Sequence, residues 1–313
     1  MEKEKKEKDN GFMRFLKEKK KPSENIAFGA IMAALYAVLS LLIAFFPSLS
    51  VFLTIFLPLF AALVGYLCLP LYVLAFAIGS SCLSLGVSFF NIGEVLFSII
   101  PSILTGSFFG FLLKKRLQDE IVIVLVSFLQ MGLYYLTIYL LQNIFGLNPI
   151  DTFFSLIKVE KTARIDSLTP GLLLALSLVQ TSLTNFLLGI LAMHVPLKEE
   201  RRFVLPKIVL PIFGLLFGAL TLAIGPFNVL VSGLFLVLSI YFGIASVSLL
   251  FAEKRWWIYL LGGIFLLAFF FVRTFLLKFY QEELFLYSLF TLPLDFMALF
   301  SNLLKRRKND EIS

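Results

Sequence analysis

The chain is poor in the side chains that carry most enzyme chemistry. It has one histidine, His194, and two cysteines, Cys68 and Cys82. A single histidine supports neither a metalloprotease pair nor a serine–histidine constellation, and two cysteines in apolar stretches make neither a disulfide framework nor a zinc site. A nucleophile elbow and a phosphate-binding glycine loop are missing, so the chain is not expected to hydrolyse ATP. Asp295 stands alone, without the second intramembrane aspartate of an aspartyl protease. These absences predict a protein that is not an enzyme and holds no metal or other cofactor.

What is abundant is apolar. Hydrophobic residues make up 59% of the 313 residues and mean hydropathy is +0.95, against an apolar share of ~45–50% in soluble domains. Ten stretches stand out, at 26–46, 50–68, 70–90, 92–113, 121–145, 170–193, 204–224, 227–251, 256–279 and 284–303. Each is ~20 residues, near the length a helix needs to cross ~30 Å of hydrocarbon. Runs such as 256–279 lack the period-two alternation of a barrel strand. In lipid only helices or a closed barrel satisfy the backbone. The expected fold is therefore all-α, a polytopic transmembrane helical bundle of about ten spans.

Basic residues orient it. Of 27 Lys and Arg, 22 lie before residue 25, at 114–116, 198–207 and 254–255, and at 305–308. These are alternate connections, so the positive-inside tendency places them and both termini in the cytoplasm. The net charge of +7 is explained by a lipid bilayer, with no nucleic-acid partner. The first stretch follows polar residues without a small-residue cleavage site, which predicts an uncleaved signal anchor. The expected location is a bacterial cytoplasmic membrane.

Five segments follow: a basic cytoplasmic arm (1–25), a six-helix membrane module (26–193), a charged cytoplasmic hinge (194–206), a four-helix membrane extension (207–304) and a basic tail (305–313). The arm has two open readings, a solvated segment or, through Phe12, Met13, Phe15 and Leu16, one lying on an anionic leaflet. The longest polar connection, 146–169, sets Phe153, Phe154, Leu156 and Ile157 against Lys158, Glu160 and Lys161. It is read either as a lid on the bundle mouth or as a linker. No repeat relates the two halves, which disfavours an inverted-repeat transporter.

Small residues recur at four-residue spacing, which lets helices approach closely in lipid. Ala30 pairs with Ala34 and Ala33 with Ala37 in the first stretch; Gly106–Gly110 and Gly214–Gly218 repeat the pattern. The glycine pairs are read as packing within the bundle. The alanines near the cytoplasmic end of the first of six spans, with a long outer loop between spans five and six, resemble the substrate-binding S components of energy-coupling factor vitamin transporters. That resemblance implies a docking face at Ala30, Ala33, Ala34 and Ala37 for an energising coupling subunit and its ATPase, and a small-molecule ligand. Over residues 24–308, Phe203-Val-Leu-Pro206, Asn228 and Asp295 before Lys305-Arg-Arg307 resemble the YybS-like family of bacterial membrane proteins, a domain of unknown function related to those S components. Pro293 departs from that pattern.

Polar residues inside hydrocarbon need partners or a wet cavity. Gln130, Tyr134, Tyr135 and Tyr139 lie in the fifth stretch, Gln180, Thr181, Thr184 and Asn185 in the sixth. An outward-facing pocket lined by Asn91, Glu94, Tyr135, Tyr139, Gln142 and Gln180 would suit a small polar ligand; interhelical hydrogen bonding is the plainer reading. Arg273 and Asp295, offset by ~7 Å along their helices, are expected to pair, as a structural clamp or as a switch. The leading function is S-component-like binding and uptake of a small molecule with an energising partner. Its rival is an assembly or regulatory factor for the cell envelope.

Overall fold

The computed structural model describes residues 17–115, 117–151, 163–192, 208–251 and 288–310, with scattered positions between 264 and 286. All regular structure among them is helical. The helices are α1 (Pro22–Phe45), α2 (Pro47–Leu67), α3 (Pro70–Val87), α4 (Ile92–Lys114), α5 (Asp119–Phe145), α6 (Ala163–Ala192), α7 (Val209–Ile224), α8 (Val229–Phe251) and α9 (Ser288–Asp310), with one 3-10 turn at Phe89–Asn91. Six helical segments among the described residues are long and apolar enough to cross a membrane, and Phe52–Leu67 and Val209–Ile224 are shorter apolar helices. The protein is a multi-pass helical membrane protein. The ninth stretch, 256–279, falls almost wholly outside the described residues, as do the hinge 194–206 with His194, loop residues 152–162, and Arg273.

Proline sets the helix starts. Pro22, Pro47 and Pro70 open α1, α2 and α3, where a missing N–H costs nothing. Each forces the preceding residue out of helical geometry, as at Leu69 (φ −75°, ψ 147°). At the end of α5, Gly146 takes φ 66°, and the Leu147 N–H returns to the Leu141 carbonyl at 3.2 Å, a closure that favours glycine. The sixth stretch differs from expectation: α6 begins at Ala163, not at Pro170, which sits inside the helix. A proline is tolerated there because neighbouring groups in a membrane bundle can occupy the carbonyl it frees.

The described helices divide into two compact units, one holding residues up to 160 together with 176–204, the other 161–175 and 205–313. The first turns of α6 thus belong with the second unit. In the first, the core joins Phe28, Met32, Tyr36 and Ile43 of α1 to Leu57, Ala61 and Val64 of α2 and to Val95, Ile99 and Ile103 of α4. The closest approach is between α2 and α4. A Cβ on Gly106 would overlap the Pro58 carbonyl, one on Gly110 the Ala62 carbonyl, and one on Gly65 the Ser107 carbonyl. Glycine is required at these positions because backbone faces backbone.

One end of this unit is tied together by the arm. The Lys19 N–H donates to the Leu67 carbonyl at 2.8 Å. Asn25, almost fully buried, donates to the carbonyls of Lys19 (3.2 Å) and Lys21 (2.8 Å) and accepts the Leu69 N–H at 2.8 Å. Lys114 donates to the Cys68 carbonyl at 3.1 Å and pairs with Glu18 at 2.9 Å. Burial pushes the Lys19 ammonium below the ordinary lysine value, opposed by Cys68 and Glu24. Residues 18–25 are therefore docked to the α2–α3 turn and the end of α4. At the opposite end, Asn91 Nδ2 donates to the Ala44 carbonyl at 3.3 Å.

In the second unit α7, α8 and α9 pack together. Ser232 donates to the Thr221 carbonyl at 2.9 Å, and Ser239 and Thr291 hydroxyls meet at 2.8 Å. Phe213, Phe217, Phe235 and Phe242 form a run of ring contacts across α7 and α8. Gly214 and Gly218 face Asp295 and Leu292 of α9.

Candidate functional site

The strongest concentration of buried polar side chains begins with a proline. Pro58 lies inside α2 and has no N–H to give to the carbonyl four residues back, that of Thr54. In a helix surrounded by apolar side chains that carbonyl needs another donor. Gln180 of α6 supplies it, donating Nε2 to Thr54 O at 2.8 Å. The oxygen of the same amide accepts from the Tyr134 hydroxyl at 2.9 Å and from Gln130 Nε2. Gln130 Nε2 also reaches the Tyr134 hydroxyl at 3.1 Å. Gln130, Tyr134 and Gln180 are all fully buried, and the Tyr134 ring packs on Phe97 of α4 at 5.0 Å. One turn toward the other end of α5, the Ser127 and Thr181 hydroxyls meet at 2.7 Å.

Helical spacing made these residues one stripe. Gln130 and Tyr134 are four apart on α5, Gln180 and Thr184 four apart on α6, and so share a face. One valence in the knot is open. Gln130 Oε1 is buried and has no hydrogen-bond partner, which costs ~1–3 kcal/mol unless a donor arrives. In chemical terms the site is neutral, with two amides and a phenol that can recognise a polar group by hydrogen bonding. It holds no nucleophile–base pair, and no cluster of three or more metal-ligating side chains occurs among the described residues.

No protein-family model matches the chain, and no curated protein or solved structure is significantly similar to it. The site must be read from its own residues.

The six residues expected to line an outer pocket are distributed differently from that expectation. Gln180 is in the buried knot. Asn91 is half-buried at the turn into α4, held by the Ala44 carbonyl, and Glu94 is half-buried one turn on. Tyr135, Tyr139 and Gln142 are exposed, Tyr139 by 64%, because the buried face of α5 runs through Gln130, Tyr134, Ile138 and Leu141. Gln130 and Tyr134, recognised in the sequence as polar groups but not assigned to the pocket, take the central place. Pro58, on a different helix, points to Gln180, which donates to the freed Thr54 carbonyl; Gln130 and Tyr134 join the knot through their bonds to Gln180.

The four alanines of α1 separate as well. Ala30 and Ala34 are exposed, Ala33 is half-buried and Ala37 is buried. Adjacent residues on a helix lie ~100° apart, so two interleaved pairs cannot share one face. Ile26, Ile31 and Val38 extend the exposed strip. Gly106–Gly110 and Gly214–Gly218 are packed inside their units. Asp295 is fully buried and both its oxygens lack a hydrogen-bond partner; Arg273 lies outside the described residues.

Proposed function

We propose that this is an S-component-like membrane protein that captures a small polar molecule in its first unit and works with an energising partner. The reading rests on the Gln130–Tyr134–Gln180 knot, whose buried Gln130 Oε1 is an acceptor awaiting a donor. The outward Ala30–Ala34 pair supplies a smooth strip on α1 where a partner helix can approach closely. A bacterial cytoplasmic membrane, ten spans and cytoplasmic termini complete the reading. In its support, Lys17, Lys19, Lys20, Lys21, Lys114 and Lys115 gather at one end of the first unit, as the positive-inside tendency requires. A reporter fused after Lys207 is expected to read cytoplasmic and one placed within 152–162 external; the reverse pattern would overturn the orientation.

The function is tested by purifying the tagged chain from its native cell in mild detergent and identifying what stays bound by mass spectrometry. An ATPase with its coupling subunit, lost on Ala34→Leu while the chain remains folded, is the expected result. A small molecule retained by the wild type and lost on Gln180→Leu would place the ligand at the knot. Envelope proteins alone, with no small molecule, would instead favour the assembly role, in which the alanine strip docks those proteins.

A further inference from the structure

The second unit contains a carboxyl group that its position in the proposed transporter does not explain. Asp295 projects from α9 onto the Gly214 position of α7, close enough that a Cβ there would collide with the carboxyl carbon and both oxygens. Gly243 of α8 flanks it, with a Cβ position 3.8 Å from Oδ2. Ser246, one turn further along α8, stands beside the carboxyl as its hydrogen-bonding neighbour, and its buried hydroxyl has no partner outside this pair. Three buried oxygens, two from Asp295 and one from Ser246, thus share a notch that Gly214 keeps open.

No fixed counter-charge meets them among the described residues. α7 has no ionisable side chain, and α8 has only Tyr241. On α9 the others are Lys305, Arg306, Arg307, Lys308 and Asp310, nearly three turns or more beyond Asp295. A bare carboxylate in such a place is strongly disfavoured, so it must hold a proton or another cation. Oxygen ligands from a carboxylate and a hydroxyl also suit a small hard cation. We propose that Asp295, with Ser246, forms an intramembrane site for a small monovalent cation, a proton or a sodium ion. Neither the ligand knot nor the alanine strip of the first unit is needed for this site.

The test uses the full chain in native-lipid vesicles and infrared difference spectra of wild type minus Asp295→Asn. A neutral-acid carbonyl band that vanishes in the variant and is unaffected by sodium assigns the proton. A carboxylate band that shifts when sodium replaces choline, and not when pH alone is changed, assigns sodium. A carboxylate band insensitive to both between pH 5 and 9 would mean a fixed protein cation neutralises Asp295 and would overturn the proposal. Should Asp295→Asn fail to fold, labelling of the wild type with an apolar carbodiimide, which adds to neutral buried carboxyls, gives the same decision by peptide mass spectrometry. Adduct at Asp295 that rises as pH falls, or that sodium suppresses, supports the site. Asp295 unlabelled at every pH, with and without sodium, removes it.

Discussion

Gly110→Ala is expected to destabilise the first unit by ~3 kcal/mol or more, the upper range for forcing an extra carbon into a packed interior. The new Cβ would overlap the Ala62 carbonyl and lie 2.7 Å from the Tyr66 nitrogen. Both obstacles are backbone, so no side-chain rotation relieves the clash, and α2 and α4 must separate. Separation exposes the rest of the seam, where Gly106 and Gly65 make the same kind of contact. Gly79→Ala is the matched control, because nothing lies within 4 Å of that position. There alanine should stabilise the helix by up to ~1 kcal/mol, through its higher helix propensity. Unfolding of both variants is followed in mixed micelles by SDS titration. Equal shifts for the two would show that the α2–α4 seam does not require glycine.

Gln180→Leu should cost about 3 kcal/mol, taking ~1 kcal/mol for each of three hydrogen bonds lost. Those bonds run from Gln180 to the Thr54 carbonyl and to Gln180 from the Tyr134 hydroxyl and the Gln130 amide. Individual hydrogen bonds between membrane helices average only ~0.6 kcal/mol, so the loss is large only if full burial prevents replacement partners from reaching the site. The double variant Pro58→Ala/Gln180→Leu separates the causes. Alanine returns an N–H to position 58, and that N–H can bond the Thr54 carbonyl within α2. About a third of the loss should be recovered. A double variant no more stable than Gln180→Leu alone would show that the freed carbonyl is not what Gln180 serves.

These two expectations mark how far the sequence could be read. The helices themselves were plain, since ~20-residue apolar runs with basic residues at alternate ends admit few other structures in lipid. Their starts were legible only to within a few residues: the third stretch begins at Pro70 as α3 does, whereas α1 opens at Pro22, four residues before the first stretch. The sixth stretch was expected from Pro170, yet α6 begins at Ala163, because its first turns are polar and the surrounding bundle permits proline inside the helix. The outer pocket was less legible. Tyr135 and Tyr139 are adjacent in the sequence to Tyr134 and Ile138, but a ~100° rotation per residue separates the two sets. Nothing within α5 alone says which set turns inward. Hydropathy cannot decide it either, because both faces of a membrane helix are apolar. The inward set is the one that reaches Gln180 on another helix, to which Gln130 and Tyr134 both donate, and that kind of long-range coupling is invisible to any local window. Similarly, Ala30 and Ala33 look equivalent in a spacing pattern and diverge only once Tyr36 and Met32 fix the inward face of α1.

The docked arm has a consequence for how the protein is made. Lys19 and Asn25 leave the ribosome just before α1 and in its first turn, yet their partners Leu67 and Leu69, and the Lys114 that pairs with Glu18, follow only after two to four helices. During synthesis the start of α1 must wait with its polar groups in water until the α2–α3 turn arrives beside it. The last contact of the arm, the Lys114–Glu18 pair, can close only when α4 has been inserted. The arm is therefore a late fastening on an early helix, and it closes over a module whose first four helices are already in the bilayer.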